Sequence, residues 1–454
     1  MDEQMQRERE RRRKKRQKRR IRKRIRQMEA LLLVTLFVVL TCLLIRDHKR
    51  EEEQKTAETS RENNTEILRA ESGAEKTEPA DDGKQDRNTF FADEEEIQEK
   101  PEDKEEAGET ALLEEESQPE EAQAEPGDRE LPDDDSGRIV LTFAGDVCFH
   151  DAYSNMQAYV QRGSDISNCI SPELLTQMRE SDVCMVNNEF TYTTRGEPTA
   201  GKTYAFRSKP ENVGILKDMG VDIVSLANNH SYDYGEISLL DTLDTLEQAE
   251  IPYVGAGRNK DEASKAVTFY KNGIRVTYLS ATQIERLDNP DTKGATENSP
   301  GTFRCWGKAL TDLTDAIRRE KEKDGFVIVY IHWGTENVEQ PDWAQLEQAK
   351  ALAEAGADLI MGDHSHCLQP FANVEGVPVI YSLSNYWFNS KTLDTGLVKV
   401  VLSKEGLQSY QFIPAIQHNC RTTIADGAEK GRILEYMRSI SPGITIDEDG
   451  FVDF

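Results

Sequence analysis

An α/β domain held outside a membrane by an anchor and a charged linker is the architecture this sequence predicts. Three observations lead to it. The first 27 residues are strongly basic and run into an apolar segment, a long acid-rich stretch follows, and from Arg138 onward short apolar runs alternate with amphipathic ones, the pattern of strands and helices in turn. The chain has 454 residues and a formal net charge of −28, but the charge is so unevenly spread that each part is read separately.

Residues 1–27 hold fifteen Lys and Arg against four acids, in runs such as RERRRKKRQKRRIRKRIR, and an uncharged, mainly apolar run from Ala30 to Ile45 comes next. Its sixteen residues sit at the short end for a spanning helix, so a cleaved signal peptide competes with an anchor. No small-residue cleavage site follows; Arg46, Asp47, His48, Lys49 and Arg50 do, and snorkelling by Arg46 can extend the span. Residues 28–46 are therefore expected to form a single transmembrane signal anchor. A lipoprotein box at Val39 to Cys42 is disfavoured by the size of Thr41. The excess of positive charge puts the tail, residues 1–27, in the cytoplasm and everything beyond residue 46 outside. The adjoining apolar segment also argues against reading the tail as a nucleic-acid-binding arm, so no nucleic acid is expected as a partner.

Residues 47–137 read as an acidic, disordered linker. From Glu51 to Gly137 there are 33 acids against nine bases, with few aromatics and scattered Pro, Ser and Gly. Such a segment buries too little apolar surface to offset its ordering entropy, and its like charges keep it extended. EEEIQEK and DDDSG lack the glycine-turned spacing of a dedicated calcium loop.

Residues 138–420 carry the α/β pattern, with 421–454 as a C-terminal extension. RIVLTFAG, VCMVN, VDIVSLA, FVIVYI, ADLIMG and VPVIYSLS read as buried strands. Between them, SPELLTQMRE offers Ser171 as N-cap and Pro172 at the first helical position, while GEISLLDTLDTLEQAE and PDWAQLEQAKALAEAG show helical spacing, the latter closing on Gly356. Turn residues at Lys271-Asn272-Gly273, Glu375-Gly376 and Lys404-Glu405-Gly406 predict hairpins, hence mixed sheets. Of seven cysteines, six are scattered through this region without a CxxC pair and read mainly as small buried hydrophobes.

What ends each strand carries the chemistry. The six strands finish in Asp146; Glu189; Asn228, Asn229 and His230; His332; Asp363, His364 and His366; and Asn385. Loops beyond the carboxyl ends of strands converge on one rim in α/β sheets, and five of the six histidines of this region lie near such ends. A mixture of carboxylate, amide carbonyl and imidazole suits a hard or borderline divalent cation such as Mn, Zn, Fe or Mg. Two such ions sharing a carboxylate would clamp a phosphoryl or carbonyl oxygen and activate water near neutral pH.

FAGDV, NNEF, SLANNHSYDYG, IHWG, GDHSHCLQP and YSLSNYWF occur in an order and spacing that resembles the CapA family, the capsule or poly-γ-glutamate synthesis proteins also called PgsA. The likeness runs from Arg138 to about His418. It implies a metallophosphatase-like (calcineurin-like) α-β-β-α sandwich of two mixed sheets around a two-metal site. It further implies Asp146, Glu189, Asn229, His332, His364 and His366 as metal ligands and His230 as the proton-transfer residue, with Asp233 either orienting His230 or serving a helix-entry turn. Asn228, Asn385 and Trp333 are expected on the rim, Trp333 as packing residue or substrate platform. The sequence departs from the phosphatase pattern at Val147 and Cys148, where Asp-x-His is usual, which leaves His150 an open candidate for the missing imidazole. Ser365 and Ser384 replace a usual proline and glycine.

The function implied is a membrane-anchored, extracytoplasmic metal-dependent hydrolase or transferase acting on an anionic cell-envelope polymer such as poly-γ-glutamate. The alternatives are a non-catalytic polymer-binding, export or assembly subunit beside capsule synthase subunits, and a general phosphoesterase. His364 and His366, two residues apart after ADLIMG, are expected on an exposed extended loop, pointing to one side and meeting one metal.

Overall fold

The computed structural model describes residues 128–284 and 293–454. The expected basic tail, the anchor and the linker as far as residue 127 lie outside the described residues. Among the described residues no helix is long and apolar enough to cross a membrane.

Two mixed sheets form the centre. The eight-stranded sheet runs Arg421–Ile424, Gly406–His418, Leu393–Ser403, Arg138–Val147, Val183–Asn188, Ile223–Ser225, Tyr253–Val254, with Asn385–Trp387 paired beside Arg138–Val147. The seven-stranded sheet runs Arg129–Glu130, Val267–Lys271, Ile274–Thr282, Phe326–His332, Leu359–Asp363, Val377–Ile380, Phe371–Val374. The seven-stranded sheet has a parallel centre with an antiparallel pairing toward each edge, and the eight-stranded sheet is parallel from Arg138–Val147 out to Tyr253–Val254 and antiparallel on the other side. The three expected hairpins form, and Asn272 and Gly273 take the positive φ of 55° and 69° that a tight two-residue turn requires.

The strands are apolar on both faces because both faces are covered. In Phe326–His332, Ile328 and Tyr330 face the other sheet, where they meet the neighbourhood of Leu141, Phe143 and Met185. Val327, Val329 and Ile331 face outward against Leu313, Ile317 and Leu352 of the helices Lys308–Lys321 and Trp343–Ala355. On the far side of the eight-stranded sheet, Val186 and Val224 pack under Leu174, Met178, Leu239 and Leu243 of the helices Pro172–Arg179 and Glu236–Gln248. The result is four layers, helix, sheet, sheet, helix.

The helix termini follow their local chemistry. Asp342 and Gln345 form a capping box at the start of Trp343–Ala355, which ends on Gly356 at φ 108°. Ser171 occupies the N-cap position of Pro172–Arg179 but makes no side-chain cap bond; its hydroxyl instead accepts from the Ile424 backbone N–H at 3.3 Å.

The N-terminal boundary differs from the expectation, and the C-terminal extension packs into the domain. Arg129 and Glu130 pair in parallel with Phe269 and Tyr270, and Asp134 takes a 2.6 Å contact from Lys271, so residues 129–134 are tied to the domain rather than free in the linker. At the other end, Ile433, Leu434 and Met437 of the helix Gly427–Ile440 join the core between the sheets, so 421–454 is integral to the domain.

VPVIYSLS is not one strand. Val377–Ile380 stays in the seven-stranded sheet, the chain turns through Ser384 at φ 66°, and Asn385–Trp387 pairs with the other sheet beside Asp146. This crossing passes so close that a Cβ on Gly145 would lie 1.9 Å from the Ser384 carbonyl oxygen, and one on Gly362 would lie 2.2 Å from that of Tyr381. Glycine is required just before Asp146 and just before Asp363 for this reason.

Candidate metal centre

The carboxyl ends of strands from both sheets meet at one place. Asp146 closes Arg138–Val147, Glu189 follows Val183–Asn188, Asn229 and His230 follow Ile223–Ser225, His332 closes Phe326–His332, and His364 and His366 follow Leu359–Asp363. Two groups of residues there can hold a divalent cation: Glu189, His332 and His364, and Asp146, Glu189 and His366. Glu189 is common to both.

In the first group, Nε2 of His332 lies 3.0 Å from Nδ1 of His364, 2.8 Å from Oδ1 of Asn229 and 3.6 Å from a Glu189 oxygen. In the second, Nδ1 of His366 lies 3.1 Å from Oδ2 of Asp146. Lone-pair atoms that converge this tightly are a donor set for a cation. The fit is tested by Glu189 itself: both of its oxygens are buried and accept no hydrogen bond, an arrangement that costs free energy unless a positive charge sits between them. Asn385, beside His366, likewise has a buried Oδ1 without a hydrogen-bond partner.

The electrostatics agree. Burial pushes the Glu189 carboxyl well above its ordinary range, and the charges of Asp146 and Asp363 push the same way. Burial would raise Asp146 as well, but the hydrogen bond and charge of His366 and the Asn187 amide hold it below its ordinary value. His366 is raised in turn: burial opposes, and Asp146 prevails. His332 is pushed well below its ordinary value by burial and by the neighbouring histidines, which keeps it neutral, the ligating form.

His364 and His366 correct the expectation of one exposed extended loop serving one metal. Both have positive φ, 89° and 54°, and Asp363 and Ser365 are fully buried. The left-handed turns send His364 to the first group and His366 to the second. A left-handed L-residue costs about 1–2 kcal/mol, and two so close mark a loop held by its surroundings for the geometry it gives. Asn337 N–H donates to the Ser365 carbonyl at 2.7 Å and helps hold it.

His230 stands beside the groups. Its Nδ1 lies 2.8 Å from Oδ2 of Asp233 and its Nε2 3.8 Å from a Glu189 oxygen. Burial lowers its pKa, with the Lys202 charge adding to the effect and Asp233 opposing it. Asp233 is fully buried, and of its two readings the geometry brings it to His230.

The expected rim is not a rim. Trp333 is fully buried, stacked on Tyr381 and donating Nε1–H to its carbonyl at 2.8 Å, so it packs beneath the site. Asn228 is buried and engaged: its amide donates to Oδ1 of Asn187 and the carbonyl of Asn188, and its oxygen accepts from His230 N–H and the Ser231 hydroxyl. Asn385 is also buried. His150 is in neither group; its Nδ1 faces the Arg207 backbone, and its ring packs against Tyr153 and Phe206.

Residues not singled out from the sequence complete the centre. Asn187 donates to Oδ1 of Asp146 at 2.7 Å. Tyr330 hydroxyl joins Asp363 to the Ala144 carbonyl. Lys202 contacts Asp233 and the Asn229 carbonyl, and Phe206 stacks on His230. The doubled asparagine of NNEF was a visible signal for Asn187; an isolated lysine in TAGKTYAF was none.

Comparison with known proteins matches residues 140–390 to the family described as "Bacterial capsule synthesis protein PGA_cap". The "PGA biosynthesis protein CapA" of Bacillus subtilis (strain 168) is 32% identical over 294 residues, covering 62% of this chain and 72% of that protein. The "Capsule biosynthesis protein CapA" of Bacillus anthracis is 29% identical over 310 residues, 66% and 73% of the two chains. Among solved structures, the sulfate thiohydrolase SoxB of Thermus thermophilus aligns over 63% of this chain and 56% of its own at 13% identity and a TM-score of 0.37.

Proposed function

The chain belongs to the bacterial capsule synthesis family PGA_cap, and from that premise we propose that it is a membrane-anchored, extracytoplasmic, metal-dependent hydrolase or transferase acting on a cell-envelope polymer of the poly-γ-glutamate class. The observation that carries the metal-dependent reading is the Glu189 carboxylate, buried without a hydrogen bond between two groups of candidate ligands. Divalent cations held there would supply Lewis acidity toward a phosphoryl or carbonyl oxygen and activate water.

The protein's own residues define the rest. Asp146, Glu189 and His366 would hold one ion, and Glu189, Asn229, His332 and His364 the other. With Nδ1–H donated to Asp233, His230 presents Nε2 toward the Glu189 side, the position from which a proton can be given to or taken from a reacting oxygen or nitrogen. Phe206, stacked at 4.2 Å on one face of that imidazole, excludes water from it. The chain is acidic overall, a field that repels polyanions, but Arg207 and Lys293 lie over the rings of Tyr234 and Tyr232, so positive charge flanks the turn that carries His230.

The purified protein is expected to carry two equivalents of divalent metal by elemental analysis and to turn over a γ-glutamyl polymer faster than a model phosphodiester. Metal without turnover of either would assign a binding or assembly role beside capsule synthase subunits; turnover of the phosphodiester alone would make it a general phosphoesterase.

The location rests on the basic residues before Ala30 and the lack of a small-residue cleavage site after Ile45. Protease added to intact cells is expected to remove the domain and spare residues 1–27. A domain protected until the cells are lysed would refute the extracytoplasmic assignment.

A further inference from the structure

The segment between the short strands Thr191–Tyr192 and Arg207–Ser208 reaches across to the turn that carries His230. Its base is tied to the turn after His230: Thr199 N–H donates to the Asp233 carbonyl at 2.8 Å and the Thr199 hydroxyl to the Tyr232 carbonyl at 3.0 Å. From there Lys202 turns inward, its side chain 4% exposed, and its ammonium contacts both the Asn229 backbone carbonyl and Oδ1 of Asp233. Four residues on, Phe206 N–H donates to the other Asp233 oxygen, and the Phe206 ring lies 4.2 Å from the His230 ring at an interplanar angle of 23°.

We propose that Lys202 is a positioning residue that locks Asn229 and His230 into one fixed relation, with Phe206 as the second jaw of the same clamp. The inference rests on the metal-dependent reading of the site. Asn229 and His230 are neighbours in sequence with divergent tasks: the Asn229 side chain reaches His332 at 2.8 Å, and the His230 ring points to Asp233. A rigid ammonium strut between the Asn229 carbonyl and the Asp233 carboxylate sets the backbone of the first and the hydrogen-bond partner of the second at once. Phe206 closes one face of the imidazole, so the ring cannot swing about its side-chain bonds without losing the stack.

Chemistry argues that the lysine is there for geometry. Burying an ion pair is seldom more stabilising than filling the same space with apolar side chains, so a segment serving only the fold would have no need of Lys202 and Asp233. Outer partners that orient metal ligands and proton-transfer groups are worth 10- to 100-fold in affinity or activity, and Lys202 touches one residue of each kind. It acts through Asn229 and Asp233.

The test is a double-mutant cycle in the full-length chain loaded with Mn²⁺, with bis(4-nitrophenyl) phosphate as substrate. A second readout comes from nitrogen-15 histidine NMR of the Zn²⁺-loaded chain, where the His230 ring N–H signal is identified by its absence in His230→Ala. Lys202→Met is expected to lower kcat by about 10- to 100-fold with little change in KM, and to shift or broaden the His230 signal. Because Lys202→Met leaves the buried Asp233 charge without its lysine, a change that can cost folding, the cycle includes Asp233→Asn and the double variant, which removes both charges. Lys202 acting through Asp233 as well as Asn229 requires the loss in the double variant to fall short of the product of the two single losses. A parent-like kcat with an unmoved His230 signal in Lys202→Met, or losses that multiply in the double variant, would overturn the clamp. A parent protein that turns over neither this phosphodiester nor a γ-glutamyl polymer would instead count against the hydrolase reading, and the clamp would then stand or fall on the His230 signal alone.

Discussion

Glu189→Gln is expected to remove bound divalent metal from both ligand groups while raising the stability of the metal-free protein. Glu189 is the one residue common to the two groups, so its loss should cost two equivalents of metal where His364→Ala costs one. Stability moves the other way because the carboxylate is buried, accepts no hydrogen bond and lies near the charges of Asp146 and Asp363. An unsatisfied buried polar group costs about 1–3 kcal/mol, more when charged. The folded-state pKa of Glu189 is raised above its unfolded value, so its contribution is fully present below the unfolded carboxyl range, near 4.5, and is lost as pH rises through the folded value. The advantage of Glu189→Gln over the parent should therefore widen from pH 5 to pH 8. His332, held neutral by burial, loses stability toward acid in both proteins and to first order cancels in the comparison. Urea midpoints in chelator at the two pH values, with metal analysis, check this; an advantage that is constant or shrinks with pH, or a variant that keeps two equivalents, would defeat it.

His230→Ala is expected to keep its metal and lose turnover by about 10²- to 10⁴-fold, the range for a general acid or base. The imidazole hydrogen-bonds to Asp233 rather than to either ligand group, and the nearest Glu189 oxygen is 3.8 Å from Nε2. Metal should stay because Asn229, the neighbouring candidate ligand, is pinned through its own carbonyl by Lys202. Elemental analysis beside single-turnover rates separates the two effects. If metal is lost along with turnover, His230 is a ligand or a support for one; if neither changes, the centre does not use it for proton transfer.

Much of the fold was legible because it is written locally. Apolar runs of strand length, a proline at the start of a helix, glycine at the end of another and Asn-Gly at a turn each report the backbone of a few residues, and five of the six expected strands, the three expected helices and the three hairpins followed. Strand ends were legible for the same reason. Asp146, Glu189, Asn229, His332, His364 and His366 each stand at or just beyond the end of an apolar run, and chain geometry delivers such positions to a common edge. The rim residues were misread because exposure is not local: Trp333 follows a strand end, as His364 does, yet is covered by Tyr381 from the neighbouring strand connection.

By itself the sequence determined the α/β class, the main strands and which side chains reach the strand ends, since these depend on periodicity and turn chemistry over short spans. Only the tertiary structure decided that Glu189 is shared, that His364 and His366 part company, that Asn385 crosses between sheets to stand beside Asp146, and that Asn187, Lys202 and Phe206 join the site. His366 meets Asp146 across 220 positions of sequence and His332 meets Asn229 across 103. No local pattern encodes such pairings. They arise because stacking two sheets face to face fixes which strand ends oppose one another, and because two left-handed residues, tolerable only when the buried surroundings hold them, turn the final histidines to different ligand groups.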